Sequence, residues 1–368
     1  MFIVINRPKL RKKLCFSILS HKKSLSLSNT LTYYSMITID TIRQPIGEDL
    51  KAFDQFVADN INAEGAMLQE MLTYALSSRG KGVRPILTML VALTCMPDTP
   101  NPEERHCSKR TYLAALIMEM IHTASLIHDD VLDDADERRG KPSVNAKWQS
   151  NLAIILGDYI LAKTMALGMA SAQYDIVSYV GSAMATLCEG EILQSQHARD
   201  LDTTRDDYFD IIYQKTASLL GVCAALGALS VGASREDIDR MRKYGEALGI
   251  AFQIQDDILD YNRNNNTGKP ANNDLREHKI TLPMIEVMES KSEDEVKEMK
   301  ELLKRCKDDE AALDQLHSMV IEGGGIERAT EVMQAYLSRA MHLVSKYEDT
   351  LYRKALIDLC TFVAERDK

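Results

Sequence analysis

An all-α protein built as one large helical bundle is what this sequence predicts, on three observations. Ala, Leu, Met, Glu and Lys are plentiful, while only 9 Pro and 18 Gly punctuate 368 residues, a balance that favours helix. Apolar residues recur at helical spacing in several windows. No convincing run of period-2 alternation bounded by hairpin turns competes with them. With 45% apolar residues, the chain is able to bury a sizeable core.

The first 35 residues, MFIVINRPKLRKKLCFSILSHKKSLSLSNTLTYYS, are basic, Ser-rich and free of acids, as a mitochondrial presequence would be. Their five Lys and two Arg cluster rather than spread along an amphipathic helix, and Met36 stands where acidic, patterned sequence begins. Two readings stay open. One is an extension upstream of a cytoplasmic protein that starts at Met36. The other is a targeting peptide for the mitochondrial matrix. The expected organisation is a basic extension over 1–35, outside the fold, and one helical domain over 36–368.

Within that domain, Leu50, Phe53, Val57 and Ile61 share one helical stripe, as do Ile326, Ala329, Met333, Leu337, Ala340 and Val344. Loop signals fall at Met96–Pro102, Asn262–Asn273 and Gly323–Gly325. The segment Glu289–Glu310 is crowded with charges of both signs and reads as a solvated helical hairpin. Between Lys215 and Arg235 lie 19 uncharged residues, close to the length of a membrane span. Ala, Gly, Ser and Thr dominate them, so a tightly packed core helix is expected and no transmembrane segment.

A net charge of −10 argues against nucleic acid as a partner, because polyanions need a basic surface. Seven scattered cysteines without a C-x-x-C pair disfavour a disulfide framework and a zinc site.

Two acid-rich motifs stand out. Ile127–Gly140 reads IHDDVLDDADERRG and follows an apolar helical pattern, so its acids close that helix. Asp129 and Asp133 are four apart and share a face, with Asp130 beside them. Like charges at this spacing destabilise a bare helix and call for compensation. A hard cation such as Mg2+, which keeps waters and leaves room for phosphate oxygens, suits them; a solvated acidic helix end is the plainer alternative. The second copy, FQIQDDILDY, holds Asp256, Asp257 and Asp260 on an otherwise apolar stretch with no basic residue between Lys243 and Arg263. Three acids there are hard to explain as a solvated face. Facing each other across a bundle, the two motifs would hold a cluster of metal ions. An acidic body handling anionic substrates also needs local cations, and Lys81 and Arg84, in GKGVRP, lie three apart and could grip one diphosphate together.

With these motifs in the order GKGVRP, EMIHTASLIHDD, YQKTASL, FQIQDD and TGKPANND, the chain resembles the trans-prenyl diphosphate synthases, specifically the long-chain polyprenyl branch, over roughly residues 40–350. That resemblance implies an isoprenoid-synthase bundle around a central cavity, Mg2+ as cofactor with about three ions per site, and a homodimer. It implies head-to-tail (1′-4) condensation of isopentenyl diphosphate with an allylic diphosphate, serving a quinone side chain, with transient membrane contact for product release. Lys81, Arg84, His122 and Arg139 would bind isopentenyl diphosphate, and Arg138 the allylic diphosphate. Lys215, Thr216, Gln253 and Lys269 would contact the allylic substrate, with Lys279 closing over the site. The departing diphosphate, screened by Lys215, would leave an allylic cation faced by the Thr216 and Gln253 oxygens. The family usually carries Lys-Arg where this chain has Lys81-Gly82, so one basic contact is missing. A terpene cyclase would not need the second diphosphate site, and a non-catalytic partner subunit tends to lose one acid motif.

Chain length is expected to be set along the helix that carries Asp129. In the family, bulky aromatics four and five residues before the first aspartate floor the pocket. Here Ser125 and Ala124 are small, with Ile121 and Met118 on the next turns, which predicts an open tunnel and a long product.

Overall fold

The computed structural model describes residues 37–77, 80–97, 101, 104–262 and 271–366; the basic extension expected over 1–35 lies outside them. The described chain starts with a short helix, α1 (Ile39–Arg43), stapled at its start by a reciprocal cap between Thr38 and Thr41. Helices α2 (Gly47–Asn60) and α3 (Ala66–Ser77) follow, the first burying Phe53 and Val57 as the stripe predicts. The centre is formed by α4 (Val83–Cys95) and α5 (Lys109–Leu132), the latter capped by Ser108. From Ile86 to Thr94 every residue of α4 is buried.

After a hairpin come α6 (Val144–Trp148), α7 (Ser150–Ala170) and α8 (Tyr174–Asp200). Next are α9 (Arg205–Ile212), a π-helical turn over Tyr213–Ala217, and α10 (Ser218–Ser230). Then α11 (Arg235–Asp260) delivers the second acid motif at its end. The short α12 (Asn273–Arg276) and α13 (Leu282–Met288) lead to α14 (Glu293–Arg305), α15 (Glu310–Glu322), α16 (Gly325–Val344) and α17 (Leu351–Glu365).

The uncharged stretch after Lys215 is a core helix, as expected: α10 packs against α4, α5 and α11, with Ala224, Ala225 and Ala228 fully buried. Small side chains let the backbones approach closely. On α11, Tyr244 is fully buried and its Oη donates to the Leu356 carbonyl at 2.7 Å, locking α17 onto the core. On α16, Ala329, Met333, Leu337, Ala340 and Val344 face inward as their period requires.

Two differences from the sequence reading stand out. Glu137–Arg138 and Lys141–Pro142 pair as a two-stranded antiparallel hairpin, far too short to register as alternation. Its turn residues Arg139 and Gly140 both take positive φ (56° and 74°), the twist a two-residue type I′ turn demands. The charge-rich segment Glu289–Glu310 supplies only one complete helix, α14, whose hairpin partner α15 begins at Glu310.

Among the described residues, three helical stretches are long and apolar enough to cross a membrane by length and composition: Ser150–Ala170, Tyr174–Asp200 and Arg205–Ser230. The third lies mostly inside the bundle, whereas α7 and α8 leave Ile154, Ile155, Met169 and Ile192 exposed.

Candidate active site

Both acid motifs sit at helix C-termini. Asp133 is the C-cap residue of α5 and Asp260 ends α11, so two negative dipole ends carry extra negative charge. Asp129, Asp133, Asp256, Asp257 and Asp260 line one cavity of about 450 Å³, joined there by Asp274. Burial, followed by Glu191 and Asp133, pushes the Asp129 carboxyl up to about 6, with Lys215 opposing the shift. A cation beside Asp129 would favour its ionised form against that burial.

Asp130 goes elsewhere. Standing about 100° round the helix from Asp129, it is buried and lines a second cavity, where Arg138 Nε donates to its Oδ1 at 2.7 Å. The expectation that groups it with the metal-facing acids therefore differs from its observed placement. Asp256 lines both cavities and accepts from Arg366 at 2.6 Å. Asp257 is buried, accepting from Tyr208 Oη at 2.5 Å and Gln253 Nε2 at 2.9 Å. Asp260 accepts from the backbone amides of Asn273 and Asp274, each at 3.0 Å, which ties α12 to the end of α11.

Among the described residues no three ligating side chains are already gathered into a ready-made metal cage. The all-oxygen donor set, spread over two helix ends, fits a hard cation that completes its shell with water and phosphate oxygens.

The second cavity, about 620 Å³, collects the basic residues: Lys81, Arg84, His122, Arg138 and Arg139. Gly80 makes room for this grouping, since a Cβ there would sit 2.6 Å from the Arg139 guanidinium carbon. The buried Arg84 Nε has no hydrogen-bond partner among the described residues, a donor placed for an anion. Lys81 Nζ lies 4.9 Å from the centre of the Phe362 ring. Burial, then Arg84, Arg139 and Arg138, holds the His122 imidazole well below its ordinary range, so it is a neutral hydrogen-bonding group in the free protein. Glu119, buried on α5, partly offsets Arg84 and Arg139, with Asp130 also acting on Arg139.

The π-helical turn carries Lys215 and Thr216 into the first cavity; such bulges are frequent at functional sites. Lys215 Nζ donates to Glu191 at 2.7 Å and Gln194 at 2.8 Å, both on α8. Thr216 Oγ1 donates to Gln253 Oε1 at 2.8 Å. Lys279 also lines this cavity, and although burial works against its charge, Asp274 and Glu277 outweigh it and raise its pKa. Lys269 lies outside the described residues.

Of the chain-length candidates, Ser125 lines the first cavity. Ala124, Ile121 and Met118 are fully buried and belong to the lining of neither cavity. Sequence reasoning missed Glu191, Gln194, Tyr208 and Arg366, common residue types outside the motifs, and gave no role to Asp274, the last residue of TGKPANND.

The two cavities share a wall of Arg84, His122, Leu126, Arg138, Thr216, Phe252 and Asp256. One chamber is acidic, its neighbour basic.

Comparison with known proteins places the chain in a family. An all-trans-nonaprenyl-diphosphate synthase (geranyl-diphosphate specific) from Rhodobacter capsulatus is 33% identical over 332 residues, covering 88% of this chain and 97% of its own. A crystal structure of a decaprenyl diphosphate synthase from Rhodobacter capsulatus is similar with a TM-score of 0.81 at 30% identity, covering 90% of this chain and 100% of that one. A polyprenyl synthase from Caulobacter crescentus CB15, solved with calcium and isoprenyl diphosphate, gives 0.80 at 26% identity, with 91% and 99% covered. The polyprenyl synthetase family model matches residues 65–320. This chain belongs to the polyprenyl synthetase family.

Proposed function

We propose that this protein is a prenyltransferase that condenses isopentenyl diphosphate head-to-tail with an allylic diphosphate, building an all-trans polyprenyl diphosphate. The observation that carries the reading is the pair of adjoining cavities, one lined by both acid motifs and one by Lys81, Arg84 and Arg139. Two diphosphates need two separate cationic grips, and a cyclase working on one substrate would not need the second.

The acid-lined cavity takes the allylic diphosphate, with Asp129, Asp133 and Asp256 as the side chains to hold Mg2+. When bound, the metal neutralises the diphosphate and makes it a leaving group. Lys215 screens the departing charge, while the Thr216 and Gln253 oxygens face the carbon left electron-poor. Arg84, Lys81 and Arg139 orient isopentenyl diphosphate through the shared wall, so that its double bond meets that carbon. Leu126, Leu219 and Phe252 line the cavity and exclude water that would quench the cation.

The relatives named for nonaprenyl and decaprenyl products, together with the small Ser125 on the cavity wall, support a product well beyond farnesyl length, such as a quinone side chain. The apolar exposure on α7 and α8, with Ile155 at 59% and Ile192 at 70%, supports burial of that face against a second copy. Incubation with isopentenyl diphosphate, farnesyl diphosphate and Mg2+, read by product chromatography, tests the reaction. No elongated product, with either primer left intact, would refute it.

A further inference from the structure

Gln253 has one carbonyl oxygen and one amide nitrogen, and only the oxygen stabilises an adjacent positive charge. Reversing the amide would turn two N–H donors toward the electron-poor carbon, where they repel it. Something must therefore hold the amide the right way round. Thr216 does not decide this, because a hydroxyl donates or accepts with equal ease.

The neighbouring network does decide it. Asp257, on the next turn of α11, accepts from Gln253 Nε2 at 2.9 Å through Oδ1. Its other oxygen accepts from Tyr208 Oη at 2.5 Å, across from α9. Tyr208 and Asp257 are each only 3% exposed, so water does not compete for these bonds. Both Asp257 oxygens are engaged as acceptors, Oδ2 from Tyr208 and Oδ1 from Gln253 Nε2, so the Gln253 nitrogen faces Asp257 and its oxygen faces Thr216 Oγ1, 2.8 Å away. Tyr208 in turn fixes which way the Asp257 carboxylate faces. Four side chains from three segments thus form one network converging on Asp257: Tyr208 donates to Asp257, Gln253 donates to Asp257, and Thr216 donates to Gln253.

We infer that Tyr208 and Asp257 are positioning residues that set the orientation of the Gln253 amide at the reacting carbon, Asp257 serving this purpose rather than metal ligation. The inference rests on the prenyltransferase reading above. It gives the middle acid of the second motif a task distinct from that of Asp256.

Steady-state kinetics on the full-length enzyme test it. Tyr208→Phe removes one hydroxyl and should lower kcat roughly tenfold. The KM for both diphosphates and the Mg2+ concentration for half-activity should move by less than about twofold. Asp257→Asn, which lets the amide adopt either orientation, should show the same pattern. Asp256→Asn should instead raise the Mg2+ requirement. The decisive arm is the double variant Tyr208→Phe with Gln253→Ala. If Tyr208 acts through Gln253, the second substitution adds almost nothing to the loss already caused by Gln253→Ala. Additive losses in the double variant would overturn the inference, as would a raised Mg2+ requirement in Asp257→Asn or an unchanged kcat in Tyr208→Phe. Circular dichroism of each variant confirms the fold, and Tyr208→Trp, retaining a donor in a different place, should not restore the rate. Wild-type protein without prenyl transfer would defeat the parent reading instead.

Discussion

Arg366, the last described residue, donates to Asp256 Oδ1 at 2.6 Å and to the Phe252 carbonyl at 2.8 Å, its guanidinium 3.7 Å over the Phe252 ring. The end of the chain thus supplies a protein cation to the acid proposed to hold metal. Arg366→Ala should lower stability by ~1 kcal/mol in the absence of metal, because Asp256 is 44% exposed and solvent screens the pair. With saturating Mg2+ and a diphosphate the difference should shrink, since another cation then sits beside Asp256. Melting curves with and without Mg2+ check this; an equal loss in both would show that the pair persists when metal binds.

The raised Asp129 carboxyl makes metal binding pH-dependent. Its pKa in the folded protein, about 6, lies above the ordinary 3.8, so a proton competes with metal as pH falls through about 6. Apparent Mg2+ affinity should be about fourfold weaker at pH 5.5 than at pH 7.5, measured by calorimetry. For stability the sign is opposite to the usual paired carboxylate: without metal, ionising Asp129 costs stability as pH rises from about 4 through about 6. Asp129→Asn should flatten both dependences. A wild-type affinity equal at the two pH values would remove Asp129 from the metal set.

Separate cavities predict separable Michaelis constants. Lys81→Ala and Arg84→Ala should each raise the KM for isopentenyl diphosphate by roughly ten- to a hundredfold, the scale of one charge-assisted hydrogen bond. Lys215→Ala should act on the allylic diphosphate instead. All three changing the same constant would mean that the assignments are wrong.

Product length offers the sharpest steric test. Ser125 lines the acid cavity, so Ser125→Phe should shorten the main product while leaving turnover measurable. Ala124 is fully buried outside both cavities, so Ala124→Phe should instead destabilise the core by roughly 1–3 kcal/mol. Chromatography and thermal melting of the two variants distinguish these outcomes. A shortened product from Ala124→Phe alone would place the tunnel along the face of α5 that carries Ala124.

The helices and most of the charged groups were legible because each leaves a periodic or clustered trace. The α16 stripe buries as spaced, and the Lys81 to Arg139 set converges on one cavity. What stayed hidden depends on contacts between distant segments. Tyr208 is an ordinary tyrosine until α9 brings it to Asp257, 49 positions away. Arg366 meets Asp256 across 110 positions, and no local spacing announces either pair. Asp130 was legible as an acid but not by direction, since helix geometry says only that it leaves the Asp129 face. Its actual partner comes from a hairpin of two residues per strand.

The wall common to the two cavities bears on how the protein would repeat its reaction. After each condensation the lengthened chain carries the diphosphate that entered with isopentenyl diphosphate, so it ends up in the basic chamber. The next cycle needs that group in the acidic chamber. Because Arg84, Arg138 and Asp256 border both, that move would be between adjoining grips. A protein built this way would be processive, releasing few short intermediates.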